Sequence, residues 1–426
     1  MNKTYRSRIV DTLLSEKLRS VGAILIEGAK WCGKSTTAEH HCKSSIFMDD
    51  PRRRAQYLLF AEDNPDMILD GETPRLIDEW QLAPTLWDAV RYTVDHRPGM
   101  GQFILTGSAK PEDRSKISHS GTGRFSWIRM RPMSLLESGD SNGKVSLSAL
   151  FSDPDMKIGA ESSADLMHTA FTICRGGWPI SSELPSDAAL NPAKDYYDAV
   201  VNVDIRQIDG VERSTDRAKR LMRSYARFQG TQTSIRQIVE DMNGGDTNAM
   251  EDKTVRNYLD VLRSLFVIED MPAWNPNLKS KTAIRTTDTR YFVDPSIATA
   301  AMGLGPDDLI NDLKNFGFLF ETLCVRDLRV YSQPLGGEIY HYRDKNGLEC
   351  DAVVHLPNGS YGLIEMKLGG EKLIDAGADN LLRLASKIDT DHMKSPSFLM
   401  VLTATGGFAY RRKDNVLVVP ISTLGV

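Results

Sequence analysis

The stretch Gly28-Ala29-Lys30-Trp31-Cys32-Gly33-Lys34-Ser35 decides how the N-terminal part of this chain is read. It has the spacing Gly-x-x-x-x-Gly-Lys-Ser, with the apolar run Ala23-Ile24-Leu25-Ile26 before it and Thr36-Thr37-Ala38-Glu39-His40 after it. A strand feeding a glycine-bounded loop that opens a helix aims backbone N–H groups and a helix N-terminus at one point, where phosphate binds. The expected site is a triphosphate loop. Gly28, Lys30, Gly33 and Thr36 line it, Lys34 reaches the β- and γ-phosphates, and Ser35 holds Mg²⁺. The competing reading is a glycine-rich turn that matches by coincidence.

Working outward, Pro74-Arg75-Leu76-Ile77-Asp78-Glu79-Trp80-Gln81 is an apolar strand ending in two carboxylates. Asp78 is expected to hold Mg²⁺ through water, and Glu79 to orient or deprotonate the attacking water. Gly101-Gln102-Phe103-Ile104-Leu105-Thr106-Gly107-Ser108 reads as a buried parallel strand whose Thr106 or Ser108 comes within reach of the γ-phosphate or its water. Arg124, in Gly121-Thr122-Gly123-Arg124-Phe125, is read as stabilising phosphate charge in its own subunit or a neighbour. A surface arginine that packs or pairs with an acid is the alternative. With the run Ser45 to Asp50, four apolar strands alternating with helices predict an α/β fold: a parallel sheet covered on both faces, with its site at the carboxyl edge. Arg52-Arg53-Arg54 is read as a solvated helix face rather than a nucleotide or nucleic-acid contact.

The chain has 426 residues, too many for one ordinary core, so roughly two to four domains are expected. Its net charge of −5 gives no global field for nucleic acid or an anionic membrane. The five cysteines are scattered and include no Cys-x-x-Cys pair, which argues against a disulfide framework or zinc site. No signal-peptide core or membrane-spanning stretch is legible, so the expected location is cytoplasmic, with no membrane partner.

Taken together, Gly28–Ser35, Leu76–Gln81, Ile104–Ser108 and Gly123-Arg124 resemble an AAA-type P-loop ATPase family of bacteria and archaea whose members carry a C-terminal domain of unknown function. The resemblance implies that the first two blocks are Walker A and Walker B motifs and that Thr106 and Ser108 lie at a sensor position. It also implies ATP and Mg²⁺ as cofactors, with Lys34, Glu79 and Arg124 catalytic. The chain departs from the family's pattern at the bulky Trp31-Cys32. In the same family a Gly-Gly-aromatic-Pro turn precedes a helix with a tyrosine pair and a later Asp-Ile. Gly176-Gly177-Trp178-Pro179, Tyr196-Tyr197 and Asp204-Ile205 match this. Arg175 is either a second nucleotide-facing arginine or a helix C-terminal charge.

Residues 132 to 155 are polar and rich in Ser, Gly and Asp, and read as a loop or boundary. Helices over Lys219–Phe228, Thr233–Met242 and Thr254–Leu262, with a strand from Leu265, suggest a winged helix-turn-helix. Its third helix exposes Lys253, Arg256 and Asn257 beside acids, so packing and DNA binding are both open. Farther on, helical Glu321, then Asp351 on one strand and Glu365-Met366-Lys367 on the next, resemble the PD-(D/E)XK nuclease superfamily. Period-2 geometry puts Glu365 and Lys367 on one face. The resemblance implies that Glu321, Asp351 and Glu365 hold a metal with Lys367 beside them. A binding-only fold and a chance surface pattern are the alternatives.

The expected organisation is an ATPase domain over residues 1–145, a helical lid or linker over 146–210, a winged-helix-like domain over 211–280 and a restriction-endonuclease-like α/β domain over 281–426. The function expected is ATP binding and Mg²⁺-dependent hydrolysis that drives or gates the C-terminal module. The alternatives are an ATP-regulated DNA endonuclease and a slow nucleotide switch or scaffold. DNA, a protein partner and a second copy of the chain stay open as partners.

Overall fold

The computed structural model describes residues 5–109, 120–205, 213–244, 250–277, 279 and 284–426. The chain divides into two compact units, one running to Pro132 and including Val261–Val267, the other formed by most of the chain from Met133 onward. In this division the first unit's N-terminal segment ends at Pro132. The expected boundary at 210/211 lies outside the described residues.

The first unit is built on five parallel strands: β1 (Ala23–Glu27), β2 (Ser44–Phe47), β3 (Arg75–Asp78), β4 (Phe103–Gly107) and β5 (Phe125–Arg129), in the order β2-β3-β4-β1-β5. Their alternation explains the two-sided core. Ala23 and Leu25 of β1 face one layer with Trp80, Trp87 and Phe103, while Ile24 and Ile26 face the other with Leu14, Leu76 and Ile104. Helices α1 (Val10–Leu18) and α2 (Lys34–His41) cover the second face, and α3 (Arg54–Asp63), α4 (Asp66–Leu69) and α5 (Leu86–His96) the first. Because β4 lies between β1 and β3, three strand ends meet at the carboxyl edge around the loop that follows β1.

In the second unit, short strands β6 (Val145–Ser146) and β7 (Ala160–Glu161) precede β8 (Glu338–Arg343), β9 (Glu349–His355), β10 (Tyr361–Lys367), β11 (Phe398–Thr403), β12 (Phe408–Arg411), β13 (Leu417–Pro420) and β14 (Leu424–Gly425). The large sheet runs β7-β12-β13-β11-β10-β9-β8. Its core order is the helix Leu313–Ser332, the antiparallel strands β8, β9 and β10, the helix Glu371–Lys387, then β11 parallel to β10. Upstream lie helices Thr215–Arg227, Ile235–Asn243 and Asp252–Ser264. Among the described residues, the stretch from Leu265 forms isolated bridges instead of the predicted strand: Ile268 to Phe292 and Met271 to Thr289 antiparallel, and Ala273 to His341 parallel.

Residues 133 to 155 are not a free linker. Ser134 caps the helix Leu135–Ser138 in a capping box. The Leu135 N–H donates to Asp327 Oδ2 at 2.9 Å, and β6 pairs in parallel with β14. Polar composition misled here because these side chains cap and staple instead of facing water. Arg175 is settled too: its guanidinium grips Asp140 at 2.7 Å and also donates to Ser138. The turn after it needs glycine. A Cβ on Gly177 would sit 2.1 Å from the Met133 carbonyl oxygen, and one on Gly176, at φ 72°, 2.3 Å from Ser296 Oγ. Beneath this turn, the buried Arg326 bridges Asp294 at 2.9 Å and Asp327 at 2.7 Å, and Asp294 also accepts the Gly177 N–H. Such a pair endures burial only because each partner is saturated with hydrogen bonds.

Candidate functional site

The loop after β1 opens α2 with Gly33 at φ 101°, in left-handed geometry that favours glycine. Gly28 is equally constrained, since a Cβ there would meet the Met130 carbonyl oxygen at 2.0 Å. Trp31 adopts φ 64° and is exposed, while Cys32 is buried, so the two bulky residues fit by pointing opposite ways. The Lys34 ammonium is buried and donates to the Ala29 carbonyl at 2.8 Å, bent across its own loop. Lys30 and Thr36 are exposed on either side. Arg8, just ahead of α1, clamps the loop from behind, donating to the carbonyls of Cys32 at 2.7 Å and Arg131 at 2.9 Å.

The ends of β3 and β4 complete the cluster. Ser35 Oγ donates to Asp78 Oδ1 at 2.8 Å, and Thr106 donates to the same oxygen. Burial raises the Asp78 carboxyl above its usual range, and these two hydroxyls pull only partly against it. Glu79 follows at φ 53°, a strained position for a non-glycine residue. Ser108 Oγ donates to its carboxylate at 3.0 Å, and Gln81 Nε2 donates to its Oε2. Thus Lys34, Ser35, Asp78, Glu79, Thr106 and Ser108 meet at one edge. A serine hydroxyl beside an incompletely neutralised carboxylate fits Mg²⁺, which takes few protein oxygens and completes its shell with water and phosphate. Near the loop, Arg129 pairs with Glu27 at 2.9 Å at the ends of β5 and β1, a pairing that sequence reading missed.

Arg124 does not join this cluster. Its carbonyl accepts from the Ala23 N–H at the amino end of β1, the opposite edge of the sheet. Its guanidinium pairs with Asp95 at 2.7 Å, the surface pairing named as the alternative.

A second charged cluster lies in the other unit. Lys367 Nζ is 2.7 Å from Glu365 and 3.2 Å from Asp351, which confirms the shared face of Glu365 and Lys367. The Met366 N–H donates to Asp351 at 2.7 Å. Asn380, unflagged by any motif, donates to Glu365 at 2.8 Å. Burial and the charge of Asp351 push the Glu365 carboxyl up to about 8. Burial and the same aspartate raise Glu321 well above the carboxylate range. Burial works against the Lys367 charge, yet Asp351 and Glu365 outweigh it and hold the ammonium. Among the described residues, no group of three or more His, Cys, Asp or Glu is arranged to hold a metal ion. The Lys367 ammonium stands between the Asp351 and Glu365 carboxylates. In the helix Asp252–Ser264, Lys253, Arg256 and Asn257 are exposed, and Asn257 accepts from Arg213 at 2.7 Å.

Among the described residues, no helix is long and apolar enough to cross a membrane. Over 352 residues the chain is 22% identical to the uncharacterized proteins Rv2008c of Mycobacterium tuberculosis and Mb2031c of Mycobacterium bovis, covering 82% of this chain and 71% of each relative. Among solved structures, the Walker-type ATPase PABY2304 of Pyrococcus abyssi is similar at 11% identity and a TM-score of 0.42, with 70% of this chain and 97% of that one covered. Residues 168–308 match a family described as a domain of unknown function (DUF8612), and residues 316–424 another so described (DUF4143). Residues 20–138, which hold the five strands and the phosphate loop, match a family described as an AAA domain.

Proposed function

We propose that the N-terminal unit binds ATP with Mg²⁺ and hydrolyses it, and that this drives or gates a separate C-terminal module. The observation that carries this reading is the Ser35–Asp78 hydrogen bond, which joins the phosphate loop to the acidic strand end. The loop's N–H groups and the start of α2 receive the phosphates. Lys34 swings from the Ala29 carbonyl to the β- and γ-oxygens. Ser35 and Asp78 would hold Mg²⁺, which would supply positive charge beside the transferred phosphoryl group. Glu79, held by Ser108 and Gln81, accepts the proton of the attacking water. Lys34→Ala should abolish ATP turnover; turnover that survives it overturns the reading. ATP retained with negligible turnover in the wild type would instead mark a nucleotide switch.

A second reading concerns the C-terminal module. Its order of helix, three antiparallel strands, helix and parallel strand, with Asp351 on β9 and Glu365 and Lys367 on β10, supports a nuclease-like phosphodiester site. Cleavage would require Lys367 to leave its carboxylates. Plasmid and branched DNA incubated with Mn²⁺, with and without ATP, test it: cleavage lost in Glu365→Ala supports the reading, and no cleavage by the wild type removes it.

A further inference from the structure

We infer that Gln81 is a positioning residue for hydrolysis, fixing the Glu79 carboxylate with its amide N–H and the attacking water with its amide oxygen; this rests on the ATPase reading above. Three features around this side chain converge. Gln81 Nε2 donates to Glu79 Oε2, so one end of the amide is committed. Gln81 Oε1 is buried and accepts no hydrogen bond among the described residues. A buried carbonyl oxygen without a donor is one bond short, and the proposal gives it the attacking water as that donor once ATP is bound. The third observation is Gly107 at the end of β4: a Cβ there would sit 2.9 Å from Gln81 Oε1 and 3.1 Å from Trp80 Nε1. Glycine therefore leaves the space in which this amide lies.

The left-handed turn at Glu79 has a role in this arrangement. With φ 53° and the short helical turn Trp80–Leu82 behind it, the chain doubles back so that residue 81 meets residue 79. A water between Glu79 and Gln81 Oε1 donates one proton to each, which leaves its lone pair for phosphorus. As the bond from water oxygen to γ-phosphorus forms, the bond from γ-phosphorus to the β–γ bridging oxygen breaks. Glu79 takes one proton, Gln81 keeps the other oriented, and ADP and inorganic phosphate result.

The test uses the full-length chain with Mg²⁺-ATP. Gln81→Leu keeps the bulk and removes both polar ends. Its kcat should fall about 10²-fold, the cost of misplacing a reacting group by about 1 Å. Affinity for a fluorescent ATP analogue should stay within about twofold, because this residue acts on the reaction and not on binding. Gly107→Ala should push the flexible amide aside and lower kcat in the same way. The double variant should be no slower than the worse single one, since both remove one interaction. A kcat for Gln81→Leu within about threefold of wild type overturns the assignment. So does ATP binding that falls in step with kcat, or fully additive losses. Turnover absent from the wild type, or kept in Lys34→Ala, overturns the ATPase reading itself, so the two failures are distinguishable.

Discussion

The two charged clusters differ in how their acids are compensated. At the carboxyl edge of the first sheet, Asp78 and Glu79 receive neutral donors: the hydroxyls of Ser35, Thr106 and Ser108 and the amide of Gln81. The nearby cation, Lys34, is turned to its own loop's carbonyl. In the second unit, Lys367 stands directly between Asp351 and Glu365. Hydrogen bonds orient a carboxylate but leave its charge for something else to meet, whereas an ammonium cancels it in place. The first cluster thus keeps its carboxylate charge uncancelled, which is what the proposed Mg²⁺ and phosphate binding needs. The second is self-neutralised and must open before it can do likewise.

The comparison breaks most readily at Glu79. Glu79→Gln keeps the shape and removes the base, and should lower kcat for ATP about 10³-fold with binding intact. A loss below about tenfold, in a phosphate-release assay, would demote Glu79 to a structural role. Next in size, Lys367→Met should cost about 2 kcal/mol in chemical denaturation, because it strands two carboxylates. Glu365→Gln added to it should recover part of that loss. An unchanged midpoint for Lys367→Met would mean that the second cluster is not held together by its own cation.

A smaller effect is a pH slope in the second unit. The buried His341 lies 3.1 Å from the Thr287 carbonyl through Nε2 and 3.0 Å from the Gln232 amide through Nδ1, contacts that suit the neutral ring. Burial lowers its pKa from 6.5 to about 4. The folded state therefore binds fewer protons than the unfolded chain between these values, so the contribution is complete above pH 6.5 and is lost as pH falls through about 4. Denaturation midpoints should rise across that interval, and His341→Asn should flatten the rise. Smallest of all, Arg124→Ala should leave ATP turnover within about twofold, since its partner is Asp95 at the far edge of the sheet. A large loss would make the arginine a contributor to a neighbouring copy's site.

Legibility followed the kind of interaction. The phosphate loop and the two acids were readable because local spacing and strand-end position carry their geometry. The clustering of Thr106 and Ser108 with them followed from the parallel sheet. Arg124 was misplaced because a glycine-rich stretch beside an arginine says nothing about which end of the following strand it occupies. Arg8 and Asn380 were invisible: each acts through one long-range hydrogen bond from an ordinary helix-compatible context. Residues 132 to 155 read as a linker since polar composition cannot tell solvated side chains from capping ones. The pattern Glu365-x-Lys367 announced a shared face but not that the lysine would close on the acids.

The pairing of β6 with β14 has a consequence for how the molecule is made. Ser141 donates to the Leu424 carbonyl, 283 positions away, and Val145 pairs beside the same residue. Loop-closure entropy grows only slowly with length, so the finished contact is not weak on that account. The delay lies in synthesis: at roughly 5–20 residues per second, a ribosome needs tens of seconds to reach the partner strand. Throughout that interval the backbone groups of residues 141 to 146 have water as their partner, and their pairing closes only once β14 has been made.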